Sequence, residues 1–289
     1  MTDAPRFSVI EFSTPSLSFA EDLAVYREAG ADGICICEDK LTDDAADLAR
    51  FRESGLAASG GFPAWPSVLP GDLLPGPDEP AARVAALRAS MERLAAFEPE
   101  CFAFSTGPVG TYEPGRAREI VVEAIRELAP AAADLGMVLA VETMAPSLAD
   151  DFGSVGSLAD MVALLGDAGA RNAKVAVDVW HLAETEGVAA MVRDHAPEIV
   201  SVHVNDRPEP TRSWMDRVFP GDGVAGIEEI LGGLEEGGYT GWYELEVVSD
   251  PAFGDSLWKL DPLEFVTTGR TSFEAAWQAR RPPAPRSTT

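Results

Sequence analysis

The sequence predicts a single α/β domain closed as a (β/α)8 barrel, and three observations carry that prediction. Eight short runs rich in Val, Ile and Ala alternate with eight longer amphipathic stretches along the 289 residues. Barrels of this class commonly fold as one domain at about 250 residues. No Gly-x-Gly-x-x-Gly follows the first run, which disfavours an open, dinucleotide-binding sheet.

The strand-like runs are 7–11, 33–37, 56–59, 101–105, 138–142, 174–178, 199–204 and 242–247. Helical periodicity falls near 18–29, 43–53, 80–97, 116–135, 157–166, 187–194, 226–236 and 261–279. Ser18, Asp44 and Ser157 stand where helices should start, and Gly30, Gly55, Gly136 and Gly169 where they should stop. Two long Gly- and Pro-containing segments, 60–79 with Phe62 and Trp65 and 207–226 with Trp214 and Arg217, follow strands and so belong on the catalytic rim. The barrel is expected over residues 1–279. Residues 280–289, rich in Pro and Arg, read as a disordered tail.

A formal charge of −26 sets poor odds for nucleic acid or anionic lipid as partner, because a surface this acidic repels phosphate. No apolar stretch is long enough to span a membrane and no signal peptide opens the chain, so a cytoplasmic location is expected. Cys35, Cys37 and Cys101 are too few for a disulfide framework, and Cys35 and Cys37 fall on one face of a strand as small buried hydrophobes.

Four consecutive strands end in potential metal ligands: Glu142, Asp178, His203 and Glu246, spaced 36, 25 and 43 residues apart. Alternation supports their convergence. If these four point inward, then Leu139, Val141, Val175, Val177, Val202 and Val204 face the helices, and small Ala140, Ala176 and Ser201 share the interior. Glu244 has the same inward parity as Glu246. Three crowded carboxylates could not all stay ionised without a cation. Three oxygen donors and one imidazole suit one divalent ion, Mn²⁺ or Mg²⁺ first, with Co²⁺, Fe²⁺ or Zn²⁺ as further candidates.

The segments Val-Asp-Val-Trp-His (177–181), Ser-Val-His-Val-Asn-Asp (201–206), Asp-Arg-Val-Phe-Pro-Gly-Asp-Gly (216–223) and Gly-Tyr-Thr-Gly-Trp-Tyr-Glu-Leu-Glu (238–246) resemble the sugar phosphate isomerase/epimerase family, the xylose isomerase-like TIM barrels. The resemblance spans nearly the whole chain and is specific from Glu142 onward. It implies a metal site at Glu142, Asp178, His203 and Glu246, with Glu142 and Glu246 doubling as the acid/base pair and His181 and Arg217 holding substrate oxygens.

Such a site fits proton removal from carbon beside a carbonyl through a metal-stabilised enediolate, one carboxylate taking the proton and the other returning it. A ketose or keto-cyclitol isomerase or epimerase is therefore expected, acting on a small sugar or cyclitol and forming a homo-oligomer as barrels of this kind commonly do. An inosose or keto-sugar dehydratase would begin with the same step, and a non-catalytic sugar-binding barrel is the remoter alternative. A multi-zinc endonuclease of the same fold is disfavoured, since the chain has only three histidines. Trp180, Trp65 and Phe62 are candidates for an apolar wall against the sugar. Asn205 and Asp206 are candidates to support His203, and His195 is expected to be structural.

Overall fold

The eight runs pair in chain order as parallel strands, and the last closes on the first. The computed structural model describes residues 4–64 and 67–281. The strands are β1 (Arg6–Ile10), β2 (Gly33–Cys37), β3 (Ala57–Phe62), β4 (Cys101–Ser105), β5 (Val138–Glu142), β6 (Ala173–Asp178), β7 (Ile199–Val204) and β8 (Trp242–Leu245). Around them lie α1 (Phe19–Glu28), α2 (Asp44–Ser54), α3 (Pro80–Leu94), α4 (Pro114–Asp134), α5 (Leu158–Ala168), α6 (Val179–Leu182), α7 (Val188–Asp194), α8 (Ile227–Glu236) and α9 (Pro262–Ala279).

Strand alternation divides the core as the sequence requires. Leu139, Val141, Val175, Val177, Val202 and Val204 are buried in the large layer shared with the helices. Ile10, Cys35, Cys37, Phe62, Cys101, Ala103, Ala140 and Ala176 form a separate cluster inside the barrel. Each fully buried aliphatic side chain contributes roughly 1.5–3 kcal/mol. The outer layer therefore carries most of the stability. The small inner residues leave room for polar side chains above them.

Helix ends follow local chemistry. The Glu21 carboxylate accepts the Ser18 backbone N–H at 2.8 Å, and Ser157 Oγ accepts from Asp160 N at 3.1 Å. At α2 the cap is Asp43 rather than Asp44, its carboxylate accepting from Ala46 N at 3.1 Å. The four expected stop glycines all adopt positive φ, from +63° at Gly169 to +81° at Gly136.

Two departures from the sequence reading have clear causes. β3 continues through Gly60, Gly61 and Phe62, which the periodicity assigns to a loop. A Cβ on Gly60 would stand 3.0 Å from Cys35 Sγ and 3.1 Å from Cys101 Sγ. Glycine there lets three strands approach across the interior, a role that breaks the hydrophobic pattern. The second departure is α6, a single turn directly after β6, started by Asp178 Oδ1 accepting from Trp180 N at 2.7 Å and His181 N at 3.3 Å. At the C-terminus, Arg280 pairs with Glu235 at 2.7 Å and Arg281 N donates to Glu228 O at 3.0 Å. The rest of the expected tail lies outside the described residues. No helix among the described residues is long and apolar enough to cross a membrane.

Candidate metal and catalytic site

The C-terminal ends of β5 to β8 bring Glu142, Asp178, His203 and Glu246 together. One ligating atom from each lies within 4.8 Å of all the others, and all four side chains are buried. Glu142 and Asp178 are the last residues of their strands, His203 is the penultimate residue of β7, and Glu246 follows β8 directly, tied back by its N–H to Val204 O at 3.2 Å.

His203 Nδ1 lies 3.0 Å from Glu142 Oε1, 2.9 Å from Glu246 Oε2 and 3.9 Å from Asp178 Oδ2. Yet neither His203 Nδ1 nor Glu246 Oε2 makes a hydrogen bond of acceptable geometry. Buried polar atoms normally find partners. Donor atoms turned toward one point without bonding one another are what a cation requires, so the residues present fit a divalent ion. Three carboxylates and one imidazole are a hard, oxygen-rich set.

The electrostatics agree. Burial raises the Glu142 carboxyl above the ordinary range, and the Glu246 and Asp178 charges add to this against the pull of His203. For Asp178 burial works in the same upward direction, but Arg217 outweighs it, helped by His181 and His203, and the carboxyl is held well below its usual value. For His203 burial alone would favour the neutral ring; the Glu142 and Glu246 carboxylates override it and raise the imidazole well above its usual value. The carboxylates pull a proton onto His203 as they would pull any cation placed among them.

Glu244, which shares inward parity with Glu246, occupies a different place. It is 1% exposed and lies inside the barrel, accepting hydrogen bonds from Ser59 Oγ and Ser201 Oγ and, at 3.5 Å, from Ser8 Oγ. Its Oε2 stands 3.6 Å from His203 Nε2. The ambiguity between the two glutamates thus resolves with Glu246 in the quartet and Glu244 on the other side of the imidazole.

Arg217 is buried, not a surface ion pair. Its Nη1 lies 2.6 Å from Asp178 Oδ2 and 3.3 Å from Glu246 Oε1. Backbone pairing of Asp206 with Val218 and of Asp216 with Ser249 pins the segment that carries it. His181, on α6, is buried with Nδ1 unpartnered, and burial pushes its imidazole down to about 4 despite the Asp178 charge. Asn205 supports Asp178 rather than His203: Nδ2 donates to Asp178 Oδ2 at 3.0 Å, and Oδ1 accepts from Trp180 N at 2.9 Å. Asp206 instead accepts the N–H groups of Arg207, Gly221 and Ala225, ordering the 207–226 segment. His195 ends α7.

A cavity of about 500 Å³ opens over the quartet, lined by Glu142, Glu246, His181 and Arg217 and by Phe62. Trp180, expected in its wall, is 2% exposed and packs with Ala145 and with Leu148, which itself lines the cavity. Trp65 lies outside the described residues. The cavity also reaches Glu11 and Lys40, which sequence reasoning left unassigned. Glu11 is fully buried, with Oε2 accepting from Cys37 N at 2.7 Å and Oε1 without a hydrogen-bond partner. Burial first, then neighbouring Asp22, raises its carboxyl well above the usual range. Asp22 is itself bound by Lys40 Nζ and Thr14 Oγ1, both at 2.6 Å. The signal for Glu11 was its place at the end of the first strand-like run, the same position Glu142 holds on β5.

Solved structures of the same fold cover nearly all of the chain. The IolI protein with a bound zinc atom superposes with a TM-score of 0.79 at 17% identity, covering 96% of this chain and 99% of that one. A 3-keto-D-glucoside 4-epimerase from E. coli gives 0.74 at 16%, over 95% and 100%. A D-allulose 3-epimerase from Methylomonas sp. gives 0.73 at 19%, over 94% and 98%. At these identities the likeness is one of fold. A search of curated proteins finds no sequence match. The family described as xylose isomerase-like TIM barrel matches residues 23–265. With that match over most of its length, and with eight parallel strands closed around a Glu-Asp-His-Glu cluster, the chain belongs to the xylose isomerase-like TIM barrel family.

Proposed function

We propose that the chain is a divalent-metal-dependent isomerase or epimerase of a ketose, keto-cyclitol or keto-glycoside, working by proton transfer at the carbon beside the carbonyl. The observation that carries this reading is that Glu142 and Glu246 line one cavity and flank the same imidazole nitrogen, at 3.0 and 2.9 Å. The epimerase names among structures of the same fold support it, and the zinc of the IolI protein supports a metal in such a barrel.

Glu142, Asp178, His203 and Glu246 would hold the ion, Mn²⁺ or Mg²⁺ by their donor chemistry. When bound there, a divalent cation supplies Lewis-acid polarisation of the substrate carbonyl. The two glutamates do the proton work. One removes the proton from carbon and the other returns it, to the neighbouring carbon or to the opposite face. Arg217 steadies charge that develops on substrate oxygen while holding Asp178 ionised. His181, neutral at physiological pH, turns an unpartnered ring nitrogen to a substrate hydroxyl.

The test is to incubate Mn²⁺-loaded protein in D₂O with a panel of ketoses, inososes and keto-glucosides. Deuterium at the carbon beside the carbonyl, with product mass otherwise unchanged, is the expected result. Product lacking one water would replace the isomerase with a dehydratase. No exchange in any member of the panel would overturn proton transfer as the chemistry.

A further inference from the structure

The catalytic cavity is polar where the quartet lies and apolar over most of its remaining wall. Phe12, Leu17, Leu73, Phe152, Trp214 and Trp258 reach it from the segments after β1, β3, β5, β7 and β8. Phe12, Phe152, Trp214 and Trp258 pack against the core on one side and leave part of their surface uncovered on the cavity side. Leu73 is 48% exposed and the other five are half-buried. Phe152 and Trp214 meet edge to face at 5.0 Å, a contact that holds both rings at the cavity wall. Six converging apolar groups left partly in water carry a standing cost of about 25 cal/mol for each Å² a ligand would cover. The free hydroxyls of a bare sugar would find few partners there.

The charges narrow the ligand further. Lys40 and Arg217 are the basic side chains besides His181 among the described lining residues, and each is paired with a carboxylate. Lys40 Nζ binds Asp22 Oδ2 at 2.6 Å and Thr14 O at 2.9 Å, and Arg217 binds Asp178 and Glu246. Their charges are already balanced by these carboxylates, so neither brings net positive charge for a phosphate dianion, and the chain's charge of −26 opposes one as well. The cavity, at about 500 Å³, falls within the range of roughly 300–1,000 Å³ that holds drug-sized ligands.

Resting on the proposed keto-sugar chemistry, we infer that the substrate is a neutral keto-glycoside whose aglycone is aromatic or aliphatic. The keto-sugar ring meets the quartet, His181 and Arg217. The aglycone lies along the apolar wall, with Trp214 and Phe152 as its main contacts and Leu73 over its outer edge. The continuity of wall and quartet within one cavity ties the two halves of the ligand together.

The experiment compares methyl and phenyl 3-keto-β-D-glucopyranoside on Mn²⁺-loaded protein. Affinity is read by tryptophan fluorescence and calorimetry, and reaction by deuterium uptake from D₂O. The phenyl glycoside is expected to bind at least tenfold more tightly, about 1.4 kcal/mol. Trp214→Ala should bring the phenyl-to-methyl ratio toward one, and Trp214→Phe should restore much of it. Equal affinity for the two glycosides overturns the apolar-aglycone inference, whether or not either one exchanges. Tighter phenyl binding without deuterium uptake keeps the inference and removes the proton-transfer reading. Binding of neither glycoside overturns the inference on its own.

Discussion

His203 stands between two glutamates with different tasks, its Nδ1 2.9 Å from Glu246 and its Nε2 3.6 Å from Glu244. When Nδ1 ligates a cation, Nε2 must carry the proton, and the Glu244 carboxylate 3.6 Å away favours that tautomer by its charge, without a hydrogen bond. The serines at positions 8, 59 and 201 fix Glu244 in turn. Glu244→Gln is expected to weaken Mn²⁺ binding by about 10–100-fold while circular dichroism stays unchanged. Calorimetric titration of the chelator-treated variant measures this, and wild-type affinity would count against the arrangement.

Arg217 couples the quartet to the fold. Removing one partner of a buried pair leaves a charge without compensation and costs about 3–5 kcal/mol. Arg217→Met should therefore lower the urea midpoint in the presence of chelator, and saturating Mn²⁺ should restore part of the loss. Deuterium exchange should fall by about 10²–10³-fold, the scale expected when one stabiliser of developing charge is lost. An unchanged urea midpoint would show that the 2.6 Å contact with Asp178 is not maintained.

Metal binding should also appear as stability. A ligand at 100 times its dissociation constant adds about 2.7 kcal/mol, which for a chain of this size corresponds to a Tm increase of roughly 5 °C or more. Mn²⁺ is expected to raise the wild-type Tm accordingly, and Asp178→Asn and His203→Asn should abolish the increase. A shift that survives both substitutions would place the ion elsewhere.

Glu11 gives a pH signature separate from the quartet. Its folded-state pKa is raised above the unfolded value, chiefly by burial, so the folded chain holds a proton that the unfolded chain has released. Stability on this account is greatest below the unfolded pKa of about 4.3 and falls as pH rises toward the folded value. Glu11→Gln keeps an oxygen for the Cys37 N–H and removes the ionisation. It should raise Tm at neutral pH and leave it nearly unchanged at pH 4. Equal effects at both pH values would rule out this linkage.

The quartet was legible in the sequence because strand alternation fixes direction. Once Val141, Val177 and Val204 are committed to the helix layer, Glu142, Asp178 and His203 have to point into the barrel. Glu244 and Glu246 share that parity, so only the depth of each along the barrel separates them, and depth depends on strand stagger. Gly60 and Gly61 carry no hydrophobic signal because their place in β3 depends on close neighbours elsewhere in the chain, Cys35 and Cys101 sulfur for Gly60 and Leu94 for Gly61. The burial of Arg217 and the exclusion of Trp180 from the cavity depend on how the 207–226 segment folds back across β8. Local pattern does not encode that path.

The most direct test of the site is anomalous diffraction from crystals grown with Mn²⁺ after chelator treatment. One peak per chain is expected, enclosed by Glu142, Asp178, His203 and Glu246, with His203 bound through Nδ1. No peak among these four side chains, or a peak bound by other residues, would contradict the metal site and the chemistry built on it.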